Sequence, residues 1–99
     1  MIIDNQNYTV IDLHEESLGL ANSSEIKQIV ESEIKSGNKY IALNLGNLTS
    51  INSAGLGILI GILNKVKTNN GSLKMLNINE RVLNIFKITK LDLVFEINN

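Results

Sequence analysis

At 99 residues, with 43% hydrophobic and 19% charged side chains, the chain has the material for one domain spanning residues 1–99 and little for a second. A formal charge of −1 and the absence of any Lys/Arg run argue against a nucleic-acid partner, which calls for a broad positive field. The lack of cysteine removes disulfides, thiolate catalysis and cysteine-based metal sites, and is compatible with a reducing cytosol.

Tyr8-Thr9-Val10-Ile11-Asp12-Leu13 is short and β-rich and predicts a strand, with Met1-Ile2-Ile3 pairing with it across the turn-like cluster Asn5-Gln6-Asn7. Asn22-Ser23-Ser24-Glu25 opens a helix: Asn22 is placed to cap it, and Glu25 follows at the capping-box spacing. Ile26, Ile29, Val30 and Ile34 recur at helical spacing, and Gly37-Asn38 ends the helix because glycine accepts the left-handed conformation. Tyr40-Ile41-Ala42-Leu43-Asn44-Leu45 is apolar enough for a central, buried strand. A polar loop, Thr49-Ser50-Ile51-Asn52-Ser53, leads into a second helix from roughly Ser53 to Lys67, which Asn69-Asn70-Gly71 terminates. Ser72 to Leu76 is a third main strand. Asn79-Glu80-Arg81 starts a third helix with Val82, Leu83, Ile85, Phe86 and Ile88 as its apolar positions, and Leu93 to Ile97 is the last strand. Strands alternating with helices predict an α/β fold. It has a mostly parallel central sheet, an N-terminal antiparallel strand, and helices packed on the sheet through right-handed crossovers.

The first five residues are too short and polar for a secretory signal. The longest apolar stretch, Ala54 to Leu63, is broken by three glycines and falls well short of the roughly 20 residues that cross a bilayer. The expectation is a soluble, cytoplasmic protein with no membrane partner.

The second helix is the unusual segment. Gly55, Gly57 and Gly61 each cost about 0.5–1 kcal/mol relative to alanine inside a helix, so they call for a reason. At 3.6 residues per turn, Leu59, Ile62, Leu63 and Val66 share the face meant for the sheet, with Gly55 and Leu56 beside them. Ser53, Gly57, Gly61 and Asn64 lie opposite, flanked by Ile58 and Ile60. Such a smooth stripe either admits another protein at close range or relieves crowding under a neighbouring helix. Ser53 likewise has two readings: it, or Asn52, is an ordinary N-cap, or it is a phosphoacceptor at the positive end of the helix dipole.

Other chemistry finds little support. His14 is the one histidine and reads as a solvated strand-end residue, so no metal site is expected. Glu15-Glu16 and Glu31/Glu33 resemble paired acids, but no pocket is implied and the latter pair lies on different helix faces. Gly55-Leu56-Gly57 lacks both the third glycine of a dinucleotide fingerprint and the Lys-Ser/Thr of a P-loop. Asp12 has no acidic strand-end partner of the kind a receiver domain needs. Neither a cofactor nor enzymatic activity is expected.

Asn44-Leu45, then Ile51-Asn52-Ser53-Ala54-Gly55-Leu56-Gly57, then Leu73-Lys74 resembles the STAS domain of bacterial anti-sigma factor antagonists. Ile88-Thr89-Lys90-Leu91 leading to Val94-Phe95 extends the likeness over essentially the whole chain. The resemblance implies a non-enzymatic regulator of transcription. Unphosphorylated, it binds an anti-sigma factor that is usually also a serine kinase; phosphorylation breaks that complex and a serine phosphatase restores it. By position the phosphoacceptor is Ser53. The partner-binding surface is drawn from Ser50, Asn52, Ser53, Ala54, Gly57, Ile58, Ile60, Gly61 and Asn64. Asn52 stands where the pattern usually has Asp, and Gly19 falls near a second usual Asp. A constitutive, unphosphorylated STAS scaffold in another partner-switching pathway is the alternative, which Asn52 favours, while Gly19 bears on binding or kinase recognition.

Overall fold

The computed structural model describes residues 1–14, 16–19 and 23–98. In chain order the elements are β1 (Ile2–Ile3), β2 (Gln6–Asn7), β3 (Thr9–Asp12), β4 (Ser17–Leu18), α1 (Ser23–Lys35), β5 (Tyr40–Asn44), β6 (Ser50–Ile51), α2 (Ser53–Thr68), β7 (Ser72–Leu76), α3 (Glu80–Ile88), a 3-10 turn (Leu91–Leu93) and β8 (Glu96–Asn98). The main sheet runs β3-β5-β7-β8, every pair parallel. Because the order advances in one direction, right-handed crossovers place all three helices on the same face. Ile26 and Val30 of α1, Leu59, Ile62, Leu63 and Val66 of α2, and Val82 and Phe86 of α3 close there over Ile11, Ile41, Leu43, Leu73 and Met75. With so few aromatics, this core is built mainly of branched aliphatics, joined by the Phe86–Phe95 contact.

The other face of the sheet is covered by the N-terminal hairpin. Ile3 packs on Tyr8, Ala42 and Leu76, with Tyr40 at the margin. Beside them Lys74 is buried in a central strand, its Nζ 2.7 Å from Glu96 and 3.2 Å from Asp4 of the hairpin turn. The ion pairs compensate a charge that burial would otherwise penalise.

Four sequence expectations need correction. β1 pairs with Gln6–Asn7, not with the Tyr8 strand, because the turn sits one residue earlier: Asp4 and Asn5 both take positive φ, the signature of a two-residue hairpin loop. Ile29 lies on the outer side of α1, although Ile26 and Val30 are buried as expected. Ile88 is exposed at the end of α3. The last strand starts at Glu96: Leu91–Leu93 coil into a 3-10 turn, and Leu93 and Val94 face outward while Phe95 is buried. The expected caps of α2 and α3 and the stop at Gly37, whose φ is +92°, agree with the structure. Asn22, expected to cap α1, and Glu15 lie outside the described residues.

Candidate functional site at the start of helix α2

The loop after β5 is held at three points before it reaches α2. Leu48 is fully buried, and its carbonyl accepts a 2.6 Å hydrogen bond from the side-chain amide of Asn79. The same Asn79 caps α3 through its Oδ1, which accepts from Val82 N at 3.0 Å, so one side chain ties the loop to a helix end. β6 then pairs in parallel with β4, Ser17 opposite Ser50 and Leu18 opposite Ile51. Around that pairing Glu16 O accepts from Thr49 N (2.8 Å), Thr49 Oγ1 (3.1 Å) and Ser50 N (3.1 Å).

Asn52 is the N-cap. Its backbone is extended and its Oδ1 accepts from Gly55 N at 2.9 Å, while its carbonyl takes the first helical bond from Leu56 N. Of the two caps the sequence offered, Asn52 does the capping, and Ser53 is the first helical residue. Ser53 is exposed, and its hydroxyl has no hydrogen-bond partner among the described residues. The backbone N–H groups of Ser53 and Ala54 belong to the first turn, whose donors have no partner within the helix and form its positive end. No acidic side chain sits in this turn.

The three glycines divide by face. A Cβ built on Gly55 would lie 2.3 Å from Leu18 O and 2.8 Å from Ile51 Cγ1, so glycine here lets the first turn rest on the β4 backbone. A Cβ on Gly57 or Gly61 would meet nothing within 4 Å. Relief of crowding therefore does not account for these two within the domain. Gly57 and Asn64 are exposed, and Ala54, Ile58, Ile60 and Gly61 are half-buried; Ile58 and Ile60 lean on the core from the sides. Ser50 is exposed at the edge of the same loop. The candidate residues therefore form one surface, running from β6 along the outward face of α2.

Sequence reasoning missed Asn79 and Glu16, which hold the loop, and the position of Gly19. A Cβ on Gly19 would stand 2.8 Å from Asn52 Nδ2 and 3.3 Å from its Oδ1. The two positions that depart from the family pattern are thus neighbours in space. No spacing rule links a loop residue to a helix cap 33 positions later; only the β4–β6 pairing does. His14 is exposed beside a polar depression of about 230 Å³ that Asp12, Asn44 and Asn47 also line. Among the described residues no group of three His, Asp or Glu side chains could hold a metal ion, and no helix is long and apolar enough to cross a membrane. Among the described titratable groups the one clear perturbation is at Lys74, away from this surface. Its hydrogen bond to Glu96 raises the ammonium pKa, burial opposes the rise, and Asp4 adds to it.

The family model described as "STAS domain" matches residues 2–99. The chain belongs to the STAS domain family. It is 28% identical over 74 residues to the anti-sigma-B factor antagonist of Staphylococcus aureus, an alignment covering 75% of this chain and 68% of the relative. A crystal structure from Thermotoga maritima, described as a candidate anti-sigma factor antagonist, superposes with a TM-score of 0.79 at 28% identity. It covers all of this chain and 83% of the other. The phosphorylated form of the Bacillus cell fate determinant SpoIIAA shares the fold, with a TM-score of 0.66 at 21% identity over 91% of this chain and 81% of that one. This STAS domain matches its family in architecture, with the parallel sheet and its three helices, and the match runs through the Ser53 segment.

Proposed function

We propose that this protein is an anti-sigma factor antagonist. It binds an anti-sigma factor with serine-kinase activity while Ser53 is free, and phosphorylation of Ser53 releases it. A serine phosphatase would reset the switch. The observation that carries the reading is the division of labour at α2: Asn52 does the capping, which leaves Ser53 exposed and without a structural duty at the head of an open Gly57/Gly61 surface. A phosphoryl group there adds about −1.5 to −2 charges at the positive end of a helix, which the fold tolerates. A protein docked over the glycines would meet that charge at its rim. The identity to the S. aureus relative, named as an antagonist, supports the same role.

A constitutive scaffold is the second reading, favoured by the uncharged Asn52 cap with Gly19 against it. The deciding experiment is intact-mass and fragment analysis of the protein from its own cells, in growth and under stress, with and without phosphatase. A phosphatase-sensitive phosphoryl group on Ser53 supports the switch; Ser53→Asp should then lose the anti-sigma factor while keeping its fold. An unmodified Ser53 in every condition overturns the switch in favour of the scaffold. Normal binding by both Ser53→Asp and Gly61→Glu would remove the surface itself.

A further inference from the structure

The two most exposed large apolar side chains among the described residues, Ile88 and Leu93, belong to neither α2 nor its loop. Ile88 and Leu93 are each 81% exposed and Val94 47%, all within the stretch that runs from the last residue of α3 toward β8. The chain is tightly folded there: Lys90 N donates to Lys87 O, Leu93 N to Lys90 O and Val94 N to Leu91 O. The result is a knob: a short segment with three exposed apolar side chains, exposed Lys87 and Lys90, and one half-buried acid, Asp92. The single-domain core does not use these side chains, and Leu93 and Ile88 are too exposed to be read as its margin.

The opposite edge of the molecule carries the complementary surface. Outward on α1, Ile29 is 43% exposed between Glu25 and Glu33, which stand four residues before and after it. Gln28 and Ser32 complete a shallow depression of about 300 Å³ around that isoleucine. Glu33 accepts from Asn38 Nδ2 through one oxygen and keeps its other lone pairs. Lys27 lies on the far flank of the helix, about 160° from Ile29 at 100° per residue. α1 follows β3 and α3 precedes β8, the two edge strands, so knob and depression sit on opposite edges of the sheet.

We infer that these two surfaces dock on each other between copies of this chain: the Lys87/Lys90-bordered knob of one protomer enters the Glu25/Glu33-bordered depression of the next. Both parts are apolar at the centre and opposite in charge at the rim, the arrangement that fixes register and orientation in an interface. The contact is heterologous, so it propagates head to tail unless a ring closes. With three exposed apolar side chains on one part and one on the other, the contact is too slight for a standard interface of roughly 800 Å² per partner, so association is weak and concentration-dependent. Neither surface includes the outward face of α2, so an assembled chain still presents Ser53.

The test is sedimentation of the full chain from about 20 µM to about 2 mM, the range in which a sub-standard interface is read. The weight-average mass should rise with concentration, and rise less at high salt. Leu93→Ser should abolish the rise without changing the circular dichroism. Lys87→Glu/Lys90→Glu and Glu25→Lys/Glu33→Lys should each remain monomeric alone. Mixed in equal amounts they should associate again, because each carries the surface the other now needs. A wild-type chain that stays monomeric throughout overturns the proposal. So does self-association insensitive to the charge reversals. Retention on phosphatidylserine vesicles that Leu93→Ser removes, with no self-association, overturns it in favour of a lipid surface.

Discussion

The three glycines of α2 should respond to alanine with opposite signs. At Gly57 and Gly61 the added methyl enters open space, so the backbone entropy saved in the unfolded chain is gained without a clash. Each substitution should stabilise by about 0.5–1 kcal/mol, and the pair by roughly 1–2 kcal/mol. For a domain of this size 1 kcal/mol moves Tm by about 4–8 °C, so the double variant should melt roughly 4–16 °C higher. At Gly55 the same propensity gain meets a clash, with the added Cβ only 2.3 Å from Leu18 O and 2.8 Å from Ile51 Cγ1. Leu18 O cannot simply retreat, since it also accepts from Asn52 N. Forcing a methyl into that contact should cost about 1–3 kcal/mol net. Urea unfolding with a shared m-value measures all three changes. The reasoning fails if Gly57→Ala/Gly61→Ala is neutral or destabilising, or if Gly55→Ala is tolerated. The double variant also separates two quantities that usually move together: it should be more stable yet bind an anti-sigma factor less well, because two methyls now roughen the docking stripe.

The Lys74 pairs make a pH prediction. Its folded pKa is raised above the ordinary 10.5, so the stability it contributes is fully present below about pH 10.5 and is lost as pH rises through the higher folded value. Lys74→Met should flatten that alkaline fall relative to wild type in parallel urea melts; an identical slope would refute the assignment to Lys74. At neutral pH the same change should cost only about 0–1 kcal/mol, because Asp4 and Glu96 are exposed enough to rehydrate. Asn52→Ala should cost about 1 kcal/mol through the lost cap, whereas Asn52→Asp keeps the cap and adds an anion worth about 0.3–1 kcal/mol at the helix N-terminus. Gly19→Ala should destabilise wild type by pushing on the Asn52 amide and have little effect in the Asn52→Ala background; additivity in this double-mutant cycle would break the link.

Periodicity located β5, α2 and β7 to within a residue because each is long, strongly patterned and bounded by Asn or Gly. The α2 wheel also placed Leu59, Ile62, Leu63 and Val66 inward and Gly57 outward, since helical angle is a local property. Errors arose where a side chain's fate is decided by what lies beside it. Ile29, Ile88 and Leu93 satisfy an apolar pattern, but α1 and the α3–β8 segment sit at the edges of a four-stranded sheet, where no neighbouring element covers them. The start of the last strand was misplaced for a related reason: Lys90 takes a left-handed φ of 61°, and nothing in an apolar run announces it. At the candidate site, Ser53 and the glycine stripe were legible from spacing and family likeness together. Gly19, Glu16 and Asn79 were not, because their roles depend on the β4–β6 pairing and on a loop crossing to α3.

The placement of Ser53 explains how a covalent switch could act without moving the fold. Every anchor of this loop lies upstream of the serine or beneath it: Leu48 in the core, Asn79 and Glu16 on its backbone, Gly55 pressed on Leu18 and Asn52 on the cap. None of these contacts uses the Ser53 side chain, and the outward stripe makes none with the rest of the domain at Gly57 or Gly61. Among the described residues a charge added at Ser53 therefore breaks no existing contact, and its effect is expected on whatever is docked outside. A Ser53→Asp variant should accordingly keep the backbone amide shifts of the β-sheet and of α3 unchanged, with perturbation confined to the first turns of α2. Changes that spread into β5, β7 or α3 would show instead that modification is read through the fold.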